Sequence, residues 1–251
     1  ENQAKSGTPF FLQVSHYAVH SDIMSRKETF ENYKNKEKGI YQKHPGFAAM
    51  TEDLDSGVGL LLESVKALGL ESNTYIIYTS DNGAVPVMPP KRSYKNSSNY
   101  PLSRGKWDAM EGGIRVPFII AGPNIKAGAE STTPITFSDL MPTIVDLAGN
   151  KRLKQRNLDG GSIKSILSNN GKGNVKRFTQ GLMFHVPYQN GIAMKRAHSA
   201  IIIKDYKLIK FHDTNELLLF KIEEDLAEKN NLALQHPEIL KSLETALDTY
   251  L

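Results

Sequence analysis

Apolar and polar residues alternate along this chain in two distinct rhythms, and the rhythms predict its elements. Pro9-Phe10-Phe11-Leu12-Gln13-Val14-Ser15 is a short, aromatic-rich apolar run that predicts a buried strand. From Phe47 the apolar residues recur at Met50, Leu54, Val58, Leu61, Val65 and Leu68, steps of three and four that mark one face of an amphipathic helix ended by Gly69. The run from Thr74 to Ser80 is β-branched and aromatic, a composition at home in the buried middle of a sheet. Strand, helix, strand in this order predicts an α/β fold with a parallel or mixed sheet.

Further on, Arg115 to Ala121 predicts another buried strand, and Ser138 or Asp139 can cap a helix running through Leu147 to Gly149, with Pro142 tolerated in its first turn. The stretches 21–46 and 84–103 are long and polar, the second rich in proline; they predict surface loops of the kind that carry function. After Gly149 the texture changes. Residues 150–180 are basic and rich in glycine and asparagine, and then strand-like runs follow at 181–186, 198–204, 206–212 and 216–222, separated by tight turns that predict an antiparallel sheet. A last helix starts near Pro237 and presents Ile239, Leu240, Leu243 and Leu247. Two parts are expected, 1–149 and 150–251.

Composition narrows the classes. With 251 residues and 39% hydrophobic content, the chain can bury one good core, or one core and a small satellite. No stretch approaches the roughly 18–20 apolar residues of a membrane-spanning helix, and the opening Glu1-Asn-Gln-Ala-Lys5 has no apolar signal region. The formal charge of +4 is carried by scattered residues. Only Lys151, Arg152, Lys154 and Arg156 cluster, which reads as a solvated connection rather than an anion or nucleic-acid surface. With no cysteine there is neither a disulfide nor a thiolate metal site.

The candidate chemistry starts where the strand 74–80 stops, at Asp81-Asn82-Gly83. Ligands sit beyond the carboxyl ends of strands in open α/β sheets, and a carboxylate beside an amide oxygen is a hard donor pair suited to Ca²⁺ or Mg²⁺. An Asp-Asn-Gly triplet is also an ordinary turn signal. Both readings stand on these residues alone.

The segment Arg104-Gly105-Lys106-Trp107…Glu111-Gly112-Gly113-Ile114-Arg115-Val116-Pro117 adds to the picture, with residues 9–20 ending at His20 upstream and Phe137-Ser138-Asp139-Leu140-Met141-Pro142-Thr143 downstream. Taken in order, these motifs resemble the sulfatase family, arylsulfatase-type and formylglycine-dependent, over residues 9–149. The resemblance is to the later portion only. Family members begin with paired aspartates and a Cys-x-Pro-x-Arg or Ser-x-Pro-x-Arg segment whose first residue becomes the formylglycine nucleophile; neither is present here. Asp205-Tyr206-Lys207-Leu208-Ile209 and the stretch from Phe220 to Leu232 resemble the family's smaller C-terminal subdomain in pattern.

The resemblance implies an alkaline-phosphatase-like mixed sheet flanked by helices, followed by a smaller antiparallel sheet with a packed helix. It implies that Asp81 and Asn82 complete a Ca²⁺ site, that Lys106 holds the sulfate oxygens, and that His20 binds sulfate and protonates the leaving oxygen. Such general acid help is typically worth about 10²–10⁴-fold. Arg104, Glu111 and Arg115 are expected to act one layer out, Glu111 holding the loop or Lys106 and Arg115 either in a structural ion pair or on the substrate. His185 is expected either to line the pocket from the smaller subdomain or to be structural. A zinc pair of His16 with His20 is weak, because strand and loop do not align i and i+4. Where the family places proline soon after this histidine, Ser21-Asp22 stand here. His44, His198, His212 and His236 have no sequence partner that raises them above structural roles.

The implied activity is hydrolysis of a sulfate ester, with sulfated carbohydrate compatible with the long polar loops, in a periplasmic or extracellular setting. The partner implied is the missing N-terminal part of the same enzyme, so this chain alone is expected to be inactive. Two alternatives remain at this point: a phosphate or phosphonate monoester hydrolase on the same scaffold, and a non-catalytic domain that binds an anion or a partner chain.

Overall fold

The computed structural model describes residues 1–86, 99–150, 158–189 and 196–251. In chain order these carry α1 (Asn2–Ser6), α2 (Lys27–Lys34), α3 (Pro45–Ala67), β1 (Ile76–Thr79), α4 (Glu111–Ile114), β2 (Phe118–Ala121), α5 (Leu140–Leu147), α6 (Lys164–Ser168), β3 (Leu182–Val186), β4 (His198–Ile203), β5 (Tyr206–Phe211), β6 (Leu217–Lys221) and α7 (Pro237–Asp248). The basic cluster Lys151 to Arg156 and the middle of the 84–103 loop lie outside the described residues. The chain forms two compact units, Glu1–Ile77 with Ile120–Pro123 and Tyr78–Ile119 with Asn124–Leu251.

In the first unit α3 runs 23 residues, from Pro45 at its first turn to Ala67. The His44 ring caps it, Nδ1 accepting the Phe47 amide at 3.0 Å, so this histidine does have a structural role. A short helix, α2, lies in the stretch expected to be a polar excursion, and Asp53 of α3 holds it. The Asp53 carboxylate accepts the Arg26 backbone N–H at 2.6 Å, the Arg26 guanidinium at 2.7 Å and the Thr29 hydroxyl at 2.7 Å. The Arg26 amide first, and then Thr29, bring its pKa down to about 2.

Two expectations fail in this unit. Residues 9–15 are extended but form no strand, and Phe11 is 69% exposed. A strand needs a neighbour to take its N–H and C=O groups, and among the described residues none pairs with this run. The helical stripe is likewise only partly used: Met50 is buried, but Leu61 is 44% exposed. The strand expected over 74–80 forms as β1, pairs with β2 in a two-stranded sheet, and is half-buried rather than buried.

The second unit is built around the antiparallel sheet β3-β4-β5-β6. Its register pairs His185 with Ser199, Ser199 with Lys210, and Leu208 with both Ile201 and Leu219. Alternation then sorts the side chains onto two faces. One face sets Ile201, Leu208 and Leu219 against Leu243 and Leu247 of α7. The other sets Ala200, Ile202, Ile209, Phe211 and Phe220 against Ala109 and Met110, with Ile114 beside them. The sheet is thus covered by a helix on one side and by the 109–114 segment on the other.

Asp139 stands at the N-cap of α5, one of the two positions expected, but its side chain does not cap that helix. The capping residue is Thr136, in a reciprocal box with Asp139, ahead of a 3₁₀ turn Phe137–Asp139 that leads into α5. Asp139 does more than close this box. Buried, it accepts the Thr136 amide at 2.8 Å, the Gly161 amide at 2.9 Å and the Arg177 guanidinium at 2.9 Å. Asp139→Ala leaves Arg177 and two backbone donors without their acceptor. It should lower stability by about 3–5 kcal/mol, read as a fall in the urea midpoint of the chain; a loss below about 1 kcal/mol would show that water replaces the carboxylate.

Candidate active site

Past the end of β1 the chain turns sharply. The Ser80 hydroxyl donates to the Asn82 carbonyl at 3.0 Å, Asp81 Oδ1 accepts the Asn82 N–H at 2.9 Å, and the Asn82 side-chain NH₂ donates to the Gly83 carbonyl at 3.0 Å. The segment is therefore a turn, whose hydrogen bonds use Asp81 Oδ1 and the Asn82 side-chain NH₂; Asp81 Oδ2 and the Asn82 amide oxygen are its candidate hard donors. Asp81 is exposed and Asn82 half-buried. Two hard oxygens fit Ca²⁺ chemistry but cover only part of the six to eight that ion takes. Among the described residues no group of three or more His, Cys, Asp or Glu side chains is placed to hold a metal.

Lys106 is brought to this turn by backbone hydrogen bonds, with the Asn99 side chain bridging the same two segments. Its amide donates to the Ala84 carbonyl at 3.0 Å, and the Gly83 amide donates to the Gly113 carbonyl at 2.9 Å. Asn99 ties the same two segments, its side-chain NH₂ reaching the Ala84 carbonyl at 2.9 Å and the Arg104 carbonyl at 2.8 Å. So close an approach requires glycine. A Cβ on Gly83 would sit 1.7 Å from the Gly112 carbonyl oxygen, and one on Gly105 would sit 2.3 Å from that of Ala84. Arg104 and Trp107, on either side of Gly105-Lys106, hold φ of 58° and 80°, strained for side-chain-bearing residues at about 1–3 kcal/mol each. The Lys106 ammonium lies 5.6 Å from the centre of the Trp107 ring, within reach of a cation–π attraction.

Beneath this loop runs a chain of buried charge. Glu111 accepts the Arg115 guanidinium at 2.5 Å and the Lys207 ammonium at 3.0 Å, and Lys207 lies 2.7 Å from Glu228 Oε1. The other Glu228 oxygen accepts the Ser103 hydroxyl at 2.6 Å and the Glu111 amide at 2.8 Å. Burial alone would raise the Glu111 pKa; Lys207 and Arg115 overcome it and hold the carboxyl below its usual range. Arg115 thus takes the ion-pair role, with Glu111.

His198 sits in the same layer. Its Nε2 accepts the Ala109 amide at 3.0 Å while Nδ1 lies 2.8 Å from the Arg196 carbonyl. An acceptor on one side and a carbonyl on the other fix a neutral ring with its proton on Nδ1, and burial lowers its pKa accordingly. Asp108 is 4% exposed; Oδ1 accepts the Met110 amide at 3.1 Å, and Oδ2 is buried with no hydrogen-bond partner. Burial pushes its carboxyl up to about 7.

His185 lies on the sheet face that carries α7, opposite the face that packs on Ala109 and Met110. Its Nδ1 is 2.6 Å from the Ser199 hydroxyl, which is 2.9 Å from His212 Nε2. The structure therefore brings Asp81, Asn82, Lys106, Glu111 and Arg115 into one backbone-linked assembly and sets His185 elsewhere. His20 belongs to the first unit, where it is exposed; its amide donates to the Tyr17 carbonyl at 3.0 Å and its Nδ1 lies 2.9 Å from the Ser21 carbonyl. Two cavities among the described residues of the second unit, about 740 Å³ along Glu238, Lys241 and Thr245 and about 270 Å³ beside Arg177, Leu182 and Tyr250, have none of these residues in their walls.

Lys207, Glu228 and Asp108 carry this architecture, yet their motifs gave them no role. The available signal was Lys207 itself, a lysine on the strand face it shares with Ile209 and Phe211.

Comparison with known proteins gives the family. The sulfatase family model matches residues 1–150, and the model described as N-sulphoglucosamine sulphohydrolase, C-terminal, matches 106–250. The chain belongs to the sulfatase family. It is 30% identical to a sulfatase of Formosa agariphila, over 94% of this chain and 44% of that protein, and 29% identical to human steryl-sulfatase, over 99% of this chain and 46% of that one. Among solved structures, that of Ps i-CgsB in complex with k-i-k-neocarrahexaose superposes with a TM-score of 0.80 at 26% identity, over 99% of this chain and 51% of that one. The chain thus spans about half the length of the relatives it matches, and its fold is the alkaline-phosphatase-like α/β fold of sulfatases.

Asp108 yields a prediction whose sign can be worked out. Its pKa is about 7 in the folded chain, raised from 3.8, so between those values the unfolded chain loses a proton that the folded chain keeps. Stability from this group is full below the lower value and is lost as pH rises through the higher one. Asp108→Asn, which keeps the Met110 hydrogen bond and cannot ionise, should therefore stabilise the chain at pH 8 by about 1–4 kcal/mol and change little near pH 4. Urea melts at the two pH values would read it; equal effects at both would show that Asp108 is ionised throughout.

Proposed function

We propose that this chain is the later portion of a sulfatase that hydrolyses a sulfate ester, of a sulfated carbohydrate, to an alcohol and sulfate. Residues 1–149 then form the later part of its catalytic domain and 150–251 its C-terminal subdomain. The observation that carries the reading is the backbone interlock of Asp81-Asn82-Gly83 with Gly105-Lys106, which sets two hard oxygen donors and a cation on one loop assembly. A sulfate ester gathers negative charge on its oxygens as the S–O bond breaks, and a cation fixed there favours the transition state over the ground state.

In this proposal Asp81 and Asn82 would hold part of a Ca²⁺ ion, whose contribution is to neutralise sulfate oxygens. The remaining ligands and the formylglycine nucleophile come from the N-terminal portion of a full-length enzyme, consistent with a chain about half the length of its relatives. Lys106 holds a sulfate oxygen, and His20, by its match to the family's motif, is the proposed proton donor to the leaving oxygen. His185 stays structural, bonded to Ser199. The carbohydrate class is supported by Ps i-CgsB, solved with an oligosaccharide, and a periplasmic or extracellular site would suit such a substrate. Among the described residues no helix is long and apolar enough to cross a membrane.

The test is the full-length enzyme assayed on sulfated oligosaccharides and an aryl sulfate. Lys106→Ala should lower kcat by about 10²–10³-fold, as when one preorganised donor is removed, with the fold intact by circular dichroism. Asp81→Ala should remove Ca²⁺ dependence together with activity. Near-normal turnover by the Lys106→Ala enzyme would rule out this site.

A further inference from the structure

We propose that Lys207 and Glu228 are positioning residues for Lys106, through which the C-terminal sheet sets the geometry of the 103–115 loop; the proposal rests on the reading of Lys106 as a sulfate-holding group. Lys207 rises from β5 and is 0% exposed, with Glu111 and Glu228 as its ion-pair partners at 3.0 and 2.7 Å. Glu228 in turn grips the loop at two points: its Oε2 accepts the Ser103 hydroxyl at 2.6 Å and the Glu111 amide at 2.8 Å. Ser103 precedes Lys106 and Glu111 follows it, so one carboxylate pins both flanks of the segment that presents the lysine.

The neck of that segment is closed by the Gly112 amide, which donates to the Ser103 carbonyl at 2.8 Å, while Lys106 itself is held by its amide on Ala84. Glu228 is also held at φ 51°, a conformation that side-chain-bearing residues avoid unless their surroundings impose it. An apolar trio of the same volume could fill the space with equal stability. The hydrogen bonds of Lys207 to Glu111 and of Glu228 to Ser103 and the Glu111 amide have fixed directions, which an apolar trio lacks, and they specify where the loop atoms lie.

Lys207→Met and the milder Ser103→Ala test this, with Leu219→Ala on the α7 face of the same sheet as a control for plain destabilisation. In the 251-residue chain, amide hydrogen exchange is measured at Gly83, Lys106 and Gly113, at a temperature where circular dichroism shows each variant folded. Lys207→Met should speed exchange at these amides at least about 10-fold and Ser103→Ala by less, with Leu219→Ala leaving them unchanged. In the full-length enzyme Lys207→Met should lower kcat on a sulfate ester by about 10²-fold, as a displacement near 1 Å can, and Lys207→Arg should recover part of the loss. The proposal is overturned if these amides exchange as slowly in the folded variants as in the wild type, or if Leu219→Ala of matched melting temperature loses as much kcat. Should Lys207→Met not fold, Ser103→Ala decides alone, and unchanged loop exchange there overturns it. A wild-type full-length protein that hydrolyses no sulfate ester would defeat the sulfatase reading, while the exchange measurement would still decide whether the loop is set by Lys207.

Discussion

A lysine that leaves water entirely must meet opposite charge, because the effective penalty for a buried unpaired ion is several kcal/mol. Lys207, projecting from the middle of an antiparallel sheet, meets it in Glu111 and Glu228, and much of the second unit is arranged by that need. Glu111 must come down onto the sheet, which places α4. Glu228 must turn inward, which fixes the chain after β6. Arg115 supplies a second cation, so Glu111, Glu228, Lys207 and Arg115 sum to zero formal charge. With the set balanced, an ionised Asp108 next to it has little to gain, and burial leaves its carboxyl protonated up to about pH 7.

The sheet separates two jobs by face. Toward α7 the buried contacts are apolar, with Leu247 wholly buried and the Lys210 ion pairs with Glu244 and Asp248 at the margin; apolar burial is non-directional, so it supplies stability and tolerates small shifts. Toward the 109–114 segment, apolar packing of Ala109 and Met110 is joined by the ion chain and by His198 on the Ala109 amide, and those interactions are directional. Position is therefore specified on the side where it matters for the candidate site. His185, Ser199 and His212 lie outside that machinery.

The sequence made the sheet legible because its strands are short runs rich in β-branched, aromatic and leucine residues, such as Ala200-Ile201-Ile202-Ile203 and Leu217-Leu218-Leu219-Phe220, and all four expected runs appear within a residue or two of their predicted ends. The last helix was legible from Pro237 and its leucine spacing. What misled was pattern without a partner. Residues 9–15 have the composition of a buried strand, but strand structure is a property of a pair, and none of the described residues supplies the other half. Leu61 marks the same thing on α3: the stripe was read correctly as helical, while its burial depended on something to cover it. For the candidate site, motif order pointed to Asp81, Asn82 and Lys106, which the structure places on one loop assembly, whereas Lys207 and Glu228 were invisible in role because their meaning lies in a contact across some 96 to 125 positions.

The site itself divides geometry from chemistry. Gly83 and Gly105 have no side chains to offer a substrate; they let two segments lie closer than any Cβ allows. The strained φ of Arg104 and Trp107 follows from that closeness, since the chain must reverse on either side of the contact. Asp81, Asn82 and Lys106 are tied to the scaffold by the Asn82 and Lys106 backbone amides, one Asp81 oxygen and the Asn82 side-chain NH₂, so their positions are set by the turn and the loop rather than by a ligand. Preorganisation of this kind is what electrostatic catalysis requires, because donors that must first be pulled into position give back the energy they would contribute. It also makes the two functions separable: a change at a glycine should displace every donor together, and a change at one donor should leave the others where they stand.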